Sequence, residues 1–200
     1  MSTDVHPGER RWSVADRSSA DKDGTAAAVS WLLRPGHCLV LAALLGPAVA
    51  GARSVGTYAL TVVLFCGPSV VVLGLTRLRA GPGAFRRERT VPVLLAAYVA
   101  AVAVAVLAGL PDAVLRAFGV YFAIGVVAVL GARRDVSAHG LLAGGLAGLL
   151  VGWVPVAGVV ALGAVGAVAW SRVRLGEHTA GQAVAGAVCG VVLGVLGAVV

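Results

Sequence analysis

Residues 137–153 read Ser-Ala-His-Gly-Leu-Leu-Ala-Gly-Gly-Leu-Ala-Gly-Leu-Leu-Val-Gly-Trp, an apolar run whose one ionisable side chain is His139 and in which Gly140, Gly144, Gly148 and Gly152 recur at every fourth place. Four residues are a little more than one helical turn, so these glycines form a smooth ridge on one helix face. Such a ridge lets a second backbone come close, which matters where lipid supplies no hydrophobic drive between helices. Gly186, Gly190 and Gly194 repeat the spacing near the C-terminus. The two helices are expected to pack tightly inside a bundle, and glycine-rich faces of this kind are also the surface through which copies of the chain would form a homo-oligomer.

The rest of the chain places that run in a membrane. Of 200 residues, 59% are hydrophobic and 12% charged, against about 45–50% and about 25% in soluble domains. Apolar stretches at approximately 36–52, 56–76, 91–110, 113–131, 137–153, 155–171 and 179–200 approach the roughly 20 residues that cross a hydrocarbon core. The first is interrupted by Pro47, and the turn between the fifth and sixth, at Trp153 and Pro155, is very tight. The stretches show no period of two, which argues against a β-barrel. The expected fold is all-α, a polytopic transmembrane bundle of six or seven spans over residues 31–200, preceded by a disordered polar tail over residues 1–30 that lacks the hydrophobic run of a signal peptide.

The nine acidic residues are unevenly placed. Asp4, Glu9, Asp16, Asp21 and Asp23 lie in the tail, leaving Glu88, Asp112, Asp135 and Glu177 for everything else. That is too few for a carboxylate cage around magnesium or calcium, so no metal and no cofactor is expected, and basic residues must hold any anion. Cys38, Cys66 and Cys189 stand singly in apolar runs, without a disulfide framework or a zinc spacing.

Alternate loops of a spanning bundle face opposite sides. One side receives the tail to Arg34, residues 77–90, 132–136 and 172–178, and with them fourteen of the sixteen basic residues; Arg53 and Arg116 fall on the other. His139 and His178 join the arginines. Guanidinium forks match phosphate oxygens and keep their charge at neutral pH, and histidines serve as nucleophile and acid toward phosphorus. For the arginines alone, the positive-inside rule is an equally good account.

Residues 171–182, Ser-Arg-Val-Arg-Leu-Gly-Glu-His-Thr-Ala-Gly-Gln, resemble the third signature of the type 2 phosphatidic acid phosphatase superfamily, SRxxxxxHxxxD, with Ser171, Arg172 and His178 at matching spacing. Val136-Ser137-Ala138-His139 is similar to the second signature, PSGH, keeping its Ser and His. The segment Phe85–Pro92, containing Arg86 and Arg89, occupies the place of the first, KxxxxxxRP, and matches it poorly. The resemblance implies a metal-independent membrane phosphatase in which His178 attacks phosphorus, His139 protonates the leaving oxygen, and Ser171, Arg172, Ser137 and an arginine among Arg86 and Arg89 hold the phosphoryl oxygens.

This chain departs from the family pattern at the aspartate, which is Gln182. Four residues from His178, Gln182 would share its helical face and offer an amide oxygen to orient the imidazole, without the charge. Glu177 would point about 100° away on such a helix. The substrate expected is a prenyl diphosphate or phosphatidate-like lipid; the other partners are membrane lipids, with no nucleic acid. A catalytically silent relative binding anionic head groups and a small transporter or scaffold remain alternatives. The chain is expected in the plasma membrane, and its charge asymmetry predicts a cytoplasmic active face.

Overall fold

The computed structural model describes residues 24–32, 34–80, 87–130 and 136–199, and every regular element among them is an α-helix. In chain order these are α1 (24–32), α2 (Pro35–Val49), α3 (Val55–Ala80), α4 (Arg87–Leu107), α5 (Asp112–Leu130), α6 (Ala138–Trp153), α7 (Pro155–Arg174) and α8 (Ala180–Val199). Helices α2 to α8 coincide with the seven apolar stretches to within several residues. Helix α1 begins inside the stretch expected to be a tail, with Ala26 and Ser30 buried, so the packed part of the chain starts before residue 31. Residues 1–23 lie outside the described set.

Local chemistry explains the helix ends. Pro35 and Pro155 take the first helical turns of α2 and α7, where a missing N–H costs nothing. Ser137 caps α6 by accepting the Gly140 N–H at 3.3 Å. A single residue, Val154, closes α6 and opens α7. That turn is possible because Gly158 has no side chain: a Cβ there would lie 2.4 Å from Val151 Cα.

Helix α6 is the centre of the molecule. It buries Gly140, Leu141 and the run Ala143–Leu150, and it touches α8 most extensively, then α7, α2 and α5. The two predicted ridges face each other. A Cβ on Gly144 would sit 2.5 Å from Ala187 O, one on Gly148 2.3 Å from Val191 O, and one on Gly190 2.3 Å from Leu141 O. Both ridges are therefore packed against each other within one chain. Helix α8 is not enclosed as expected. It buries only Ala183, Gly186, Gly190 and Gly194, and leaves Val184, Val188, Val192 and Leu196 exposed.

Helices α2 to α5 pack around an aromatic core. Phe65 packs on Phe118 with centroids 4.0 Å apart and ring planes tilted by 42°, and meets Tyr121 edge-on at 5.8 Å. The buried Tyr98 hydroxyl donates to Phe65 O at 2.7 Å and lies 3.0 Å from Ser69 Oγ, which satisfies a polar atom that would otherwise be costly inside the bundle.

The outer surface carries branched aliphatics, among them Val63, Val70, Val99, Val156 and Val160. This distribution suits a lipid surround, since the hydrocarbon replaces the core that a soluble fold would need. Four segments are long and apolar enough to cross a bilayer, namely Gly24–Val49, Val55–Thr76, Pro155–Arg174 and Ala180–Val199, whereas Pro92–Leu107 and Ala138–Trp153 are shorter. The 16 residues of α6 extend only ~24 Å, against a hydrocarbon core of about 30 Å.

Candidate functional site

The chain reverses direction between α7 and α8, and the residues there are fixed by backbone hydrogen bonds. Gly176, at φ 69°, ends α7 in a left-handed turn. The Glu177 N–H bonds Arg172 O at 3.1 Å and the Gly176 N–H bonds Val173 O at 3.0 Å, the paired bonds of a Schellman motif. The His178 N–H also reaches Arg172 O, at 3.3 Å. His178 thus stands in the connection, before α8 begins at Ala180, and does not share a helical face with Gln182.

Gln182 has another role. Its Oε1 accepts the Thr179 N–H at 2.9 Å while Thr179 Oγ1 accepts the Gln182 N–H at 3.3 Å. This reciprocal pair is a capping box, with Thr179 as the cap of α8 and Gln182 three residues on. The amide oxygen expected to orient the imidazole is therefore held by the backbone. The Thr-x-x-Gln spacing was in the sequence and signals a helix start at least as specifically as it signals a degenerate motif. Gln182→Leu is expected to lower stability by ~1 kcal/mol, and Gln182→Glu to keep it, because glutamate completes the same box. Turnover per folded molecule should be unchanged in both. A tenfold loss in Gln182→Leu at unchanged stability would make position 182 the histidine's partner after all.

Two other residues matched to phosphate binding are similarly engaged. Ser171 is fully buried and donates to Val168 O at 2.8 Å within its own helix. Ser137 is fully buried as the α6 cap, against Gly186, whose added Cβ would lie 2.6 Å from Ser137 O. Arg86 and the side chain of Arg89 lie outside the described residues, as does Asp135.

What the fold does bring together is His139, Arg172, His178 and a set of residues from the N-terminal helix. His139, on the first turn of α6, lies within electrostatic reach of Arg172, His178 and Arg34. A cavity of about 320 Å³ opens here, lined by Ala27, Ser30, Trp31, Arg34, His139, Arg172, Leu175 and Glu177. The starts of α2 and α6 and the end of α7 thus meet at one end of the bundle, as alternating helices require. At the opposite end Arg116 of α5 donates to Ala198 O of α8 at 3.2 Å.

Arg172 organises the cavity. Its Nη1 donates to Ser30 Oγ at 2.9 Å, and its Nη2 pairs with the Glu177 carboxylate. Its Nε is buried without a hydrogen-bond partner among the described residues. Ser30, Trp31, Arg34 and Glu177 were not anticipated as site residues. The signal that would have found α1 is the helix-forming run Thr25-Ala26-Ala27-Ala28-Val29-Ser30-Trp31-Leu32 ahead of Pro35.

Fold and site together define an all-helical, membrane-type protein with a basic, histidine-bearing cavity at one end. No protein-family model matches the chain, and neither does any curated protein or any solved structure.

Proposed function

We propose that the chain is an integral membrane phosphatase acting on a lipid phosphate or diphosphate, of the type 2 phosphatidic acid phosphatase kind, in a bundle of six or seven spans. The observation that carries this reading is the convergence of His139 and Arg172 on one cavity, with His178 beside them, from segments separated by more than thirty residues. Arg172 anchors the phosphoryl oxygens. An imidazole nitrogen of His178 bonds to phosphorus as the bond from phosphorus to the lipid oxygen breaks, and His139 gives that oxygen its proton. Water then attacks the phosphohistidine, His139 takes the water's proton, and inorganic phosphate leaves. Ser137, Ser171 and Gln182 support the helices that carry these groups and do not touch the phosphate.

Purified protein in detergent is expected to release inorganic phosphate from a panel of phosphatidate-like and prenyl diphosphate lipids, at a rate insensitive to chelators. Absence of release across the panel, with binding of the same lipids retained, selects the alternative of a silent head-group binder. That alternative is favoured by one observation, the commitment of Gln182 to the α8 cap, which removes the residue expected to take the place of the family's aspartate.

In the sequence, fourteen of the sixteen basic residues fall in the segments on the side of Arg34 and Arg172, and the positive-inside rule then orients the site toward the cytoplasm of a plasma-membrane protein. In a background lacking Cys38, Cys66 and Cys189, a cysteine at Ser18 is expected to resist a membrane-impermeant maleimide on intact cells, and one placed beyond Val200 to react. The reverse labelling pattern moves the cavity to the outer face.

A further inference from the structure

The ion pair at the mouth of the cavity is asymmetric. The Arg172 side chain is 13% exposed and its Glu177 partner 42%. Glu177 is held by its backbone in the Schellman turn, so its side chain can swing into water without disturbing the end of α7. Arg172 has no such freedom, because Ser30 of α1 fixes the other side of its guanidinium. When the carboxylate leaves, a largely buried cation remains and requires another anion.

The donors left on Arg172 indicate what that anion is. Nε–H and Nη2 lie along one edge of the guanidinium plane, the edge that bidentate acceptors take. Glu177 engages Nη2 while Nε stays buried and, among the described residues, unpaired. An acceptor with two oxygens at phosphate spacing would satisfy both donors, and Arg34 and His139 line the same cavity.

We infer that Glu177 is a tethered internal anion that closes the Arg172 site at rest, and that a phosphoryl group opens the site by displacing it. The inference rests on the reading of Arg172 as the phosphate anchor, but not on hydrolysis. Helix α1 is part of the device, since Ser30 holds the guanidinium in place. Only ligands that bridge Nε and Nη2 compete well with a carboxylate already present at high effective concentration. A zwitterionic choline lipid, whose phosphate is a diester carrying a quaternary amine, competes poorly.

Calorimetric titration of the detergent-solubilised full chain tests this, with inorganic phosphate in one arm and a short-chain lipid phosphonate, which cannot be hydrolysed, in the other. Glu177→Gln removes the competing charge and is expected to tighten binding by up to about fivefold, the range set by a partly exposed ion pair. Adding Arg172→Gln to that variant is expected to abolish the gain. Equal tightening in both arms identifies the phosphoryl group itself as the displacing ligand, and tightening confined to the phosphonate identifies a membrane lipid head group. Unchanged or weaker binding by Glu177→Gln in both arms overturns the gate. Phosphate release measured on the same preparations separates the two readings: a gate without turnover leaves the inference standing and the phosphatase reading fallen, and turnover with no effect of Glu177→Gln does the opposite.

Discussion

Gly190→Ala is expected to destabilise this protein more than any other single-methyl change among the described residues of α8 outside its glycine ridge. The added carbon would stand 2.3 Å from Leu141 O and 3.0 Å from both Gly144 Cα and Gly145 N, all of them backbone atoms of α6. A flexible side chain could turn aside; a helix backbone cannot, so α6 and α8 must separate along the whole contact. Overpacking of this kind costs about 1–3 kcal/mol, and the upper part of that range applies when neither partner can yield. Gly190→Leu should prevent the two helices from docking at all. The matched control is Gly163→Ala on α7, where a Cβ would meet nothing within 4 Å. Alanine there should be neutral or raise stability by up to about 1 kcal/mol, through helix propensity. Unfolding in mixed micelles at increasing fractions of dodecyl sulfate, followed by circular dichroism, compares the three proteins. Equal midpoints for Gly190→Ala and Gly163→Ala would show that the ridges do not hold α6 to α8. Because His139 rides on α6 and His178 precedes α8, Gly190→Ala should also slow turnover, by up to about a hundredfold if the histidines move apart by about an ångström.

The glycine ridges were legible in the sequence because helical period alone determines which residues share a face. Their pairing with each other was not, since a ridge carries no information about its partner. The helices themselves were equally legible: continuous apolar runs broken by Gly, Pro and charge leave little choice. Span length was less so, and α6 shows why. Its 16 residues are apolar enough for lipid but are enclosed by four other helices, so composition overstated its contact with the membrane.

The spacing of the motifs singled out His139, His178 and Arg172, which the fold brings near one another, whereas Gln182, Ser137 and Ser171, assigned to the same chemistry, hydrogen-bond to the backbone. All three are residue types that cap helices or bond within them, and motif spacing cannot distinguish that use from phosphate binding. Glu177 was set aside on the assumption that the helix continued through it. Gly176 breaks the helix there, and the carboxylate turns back to Arg172.

His178→Ala and His139→Ala should both reduce lipid phosphate hydrolysis, but in ways that depend differently on the leaving group. A nucleophile is needed whatever leaves, so His178→Ala is expected to lose about 10³-fold or more on every substrate. A general acid matters in proportion to the basicity of the departing oxygen, and contributes about 10²–10⁴-fold where that oxygen becomes an alkoxide. His139→Ala should therefore lose most on a phosphatidate-like monoester, whose leaving group is an alcohol. It should lose less on a prenyl diphosphate, which expels a phosphate, and least on an aryl phosphate bearing an acidic phenol. Both variants are expected to fold, because neither ring is fully buried and neither residue caps a helix. Single-turnover rates on the three substrate types, with labelled phosphate to trap an acid-labile, base-stable phosphoenzyme, give the comparison. Undiminished turnover in His178→Ala removes it as nucleophile. A loss in His139→Ala that is the same for all three leaving groups removes the proton transfer and leaves His139 as one more polar group lining the cavity, next to an arginine that Glu177 already pairs.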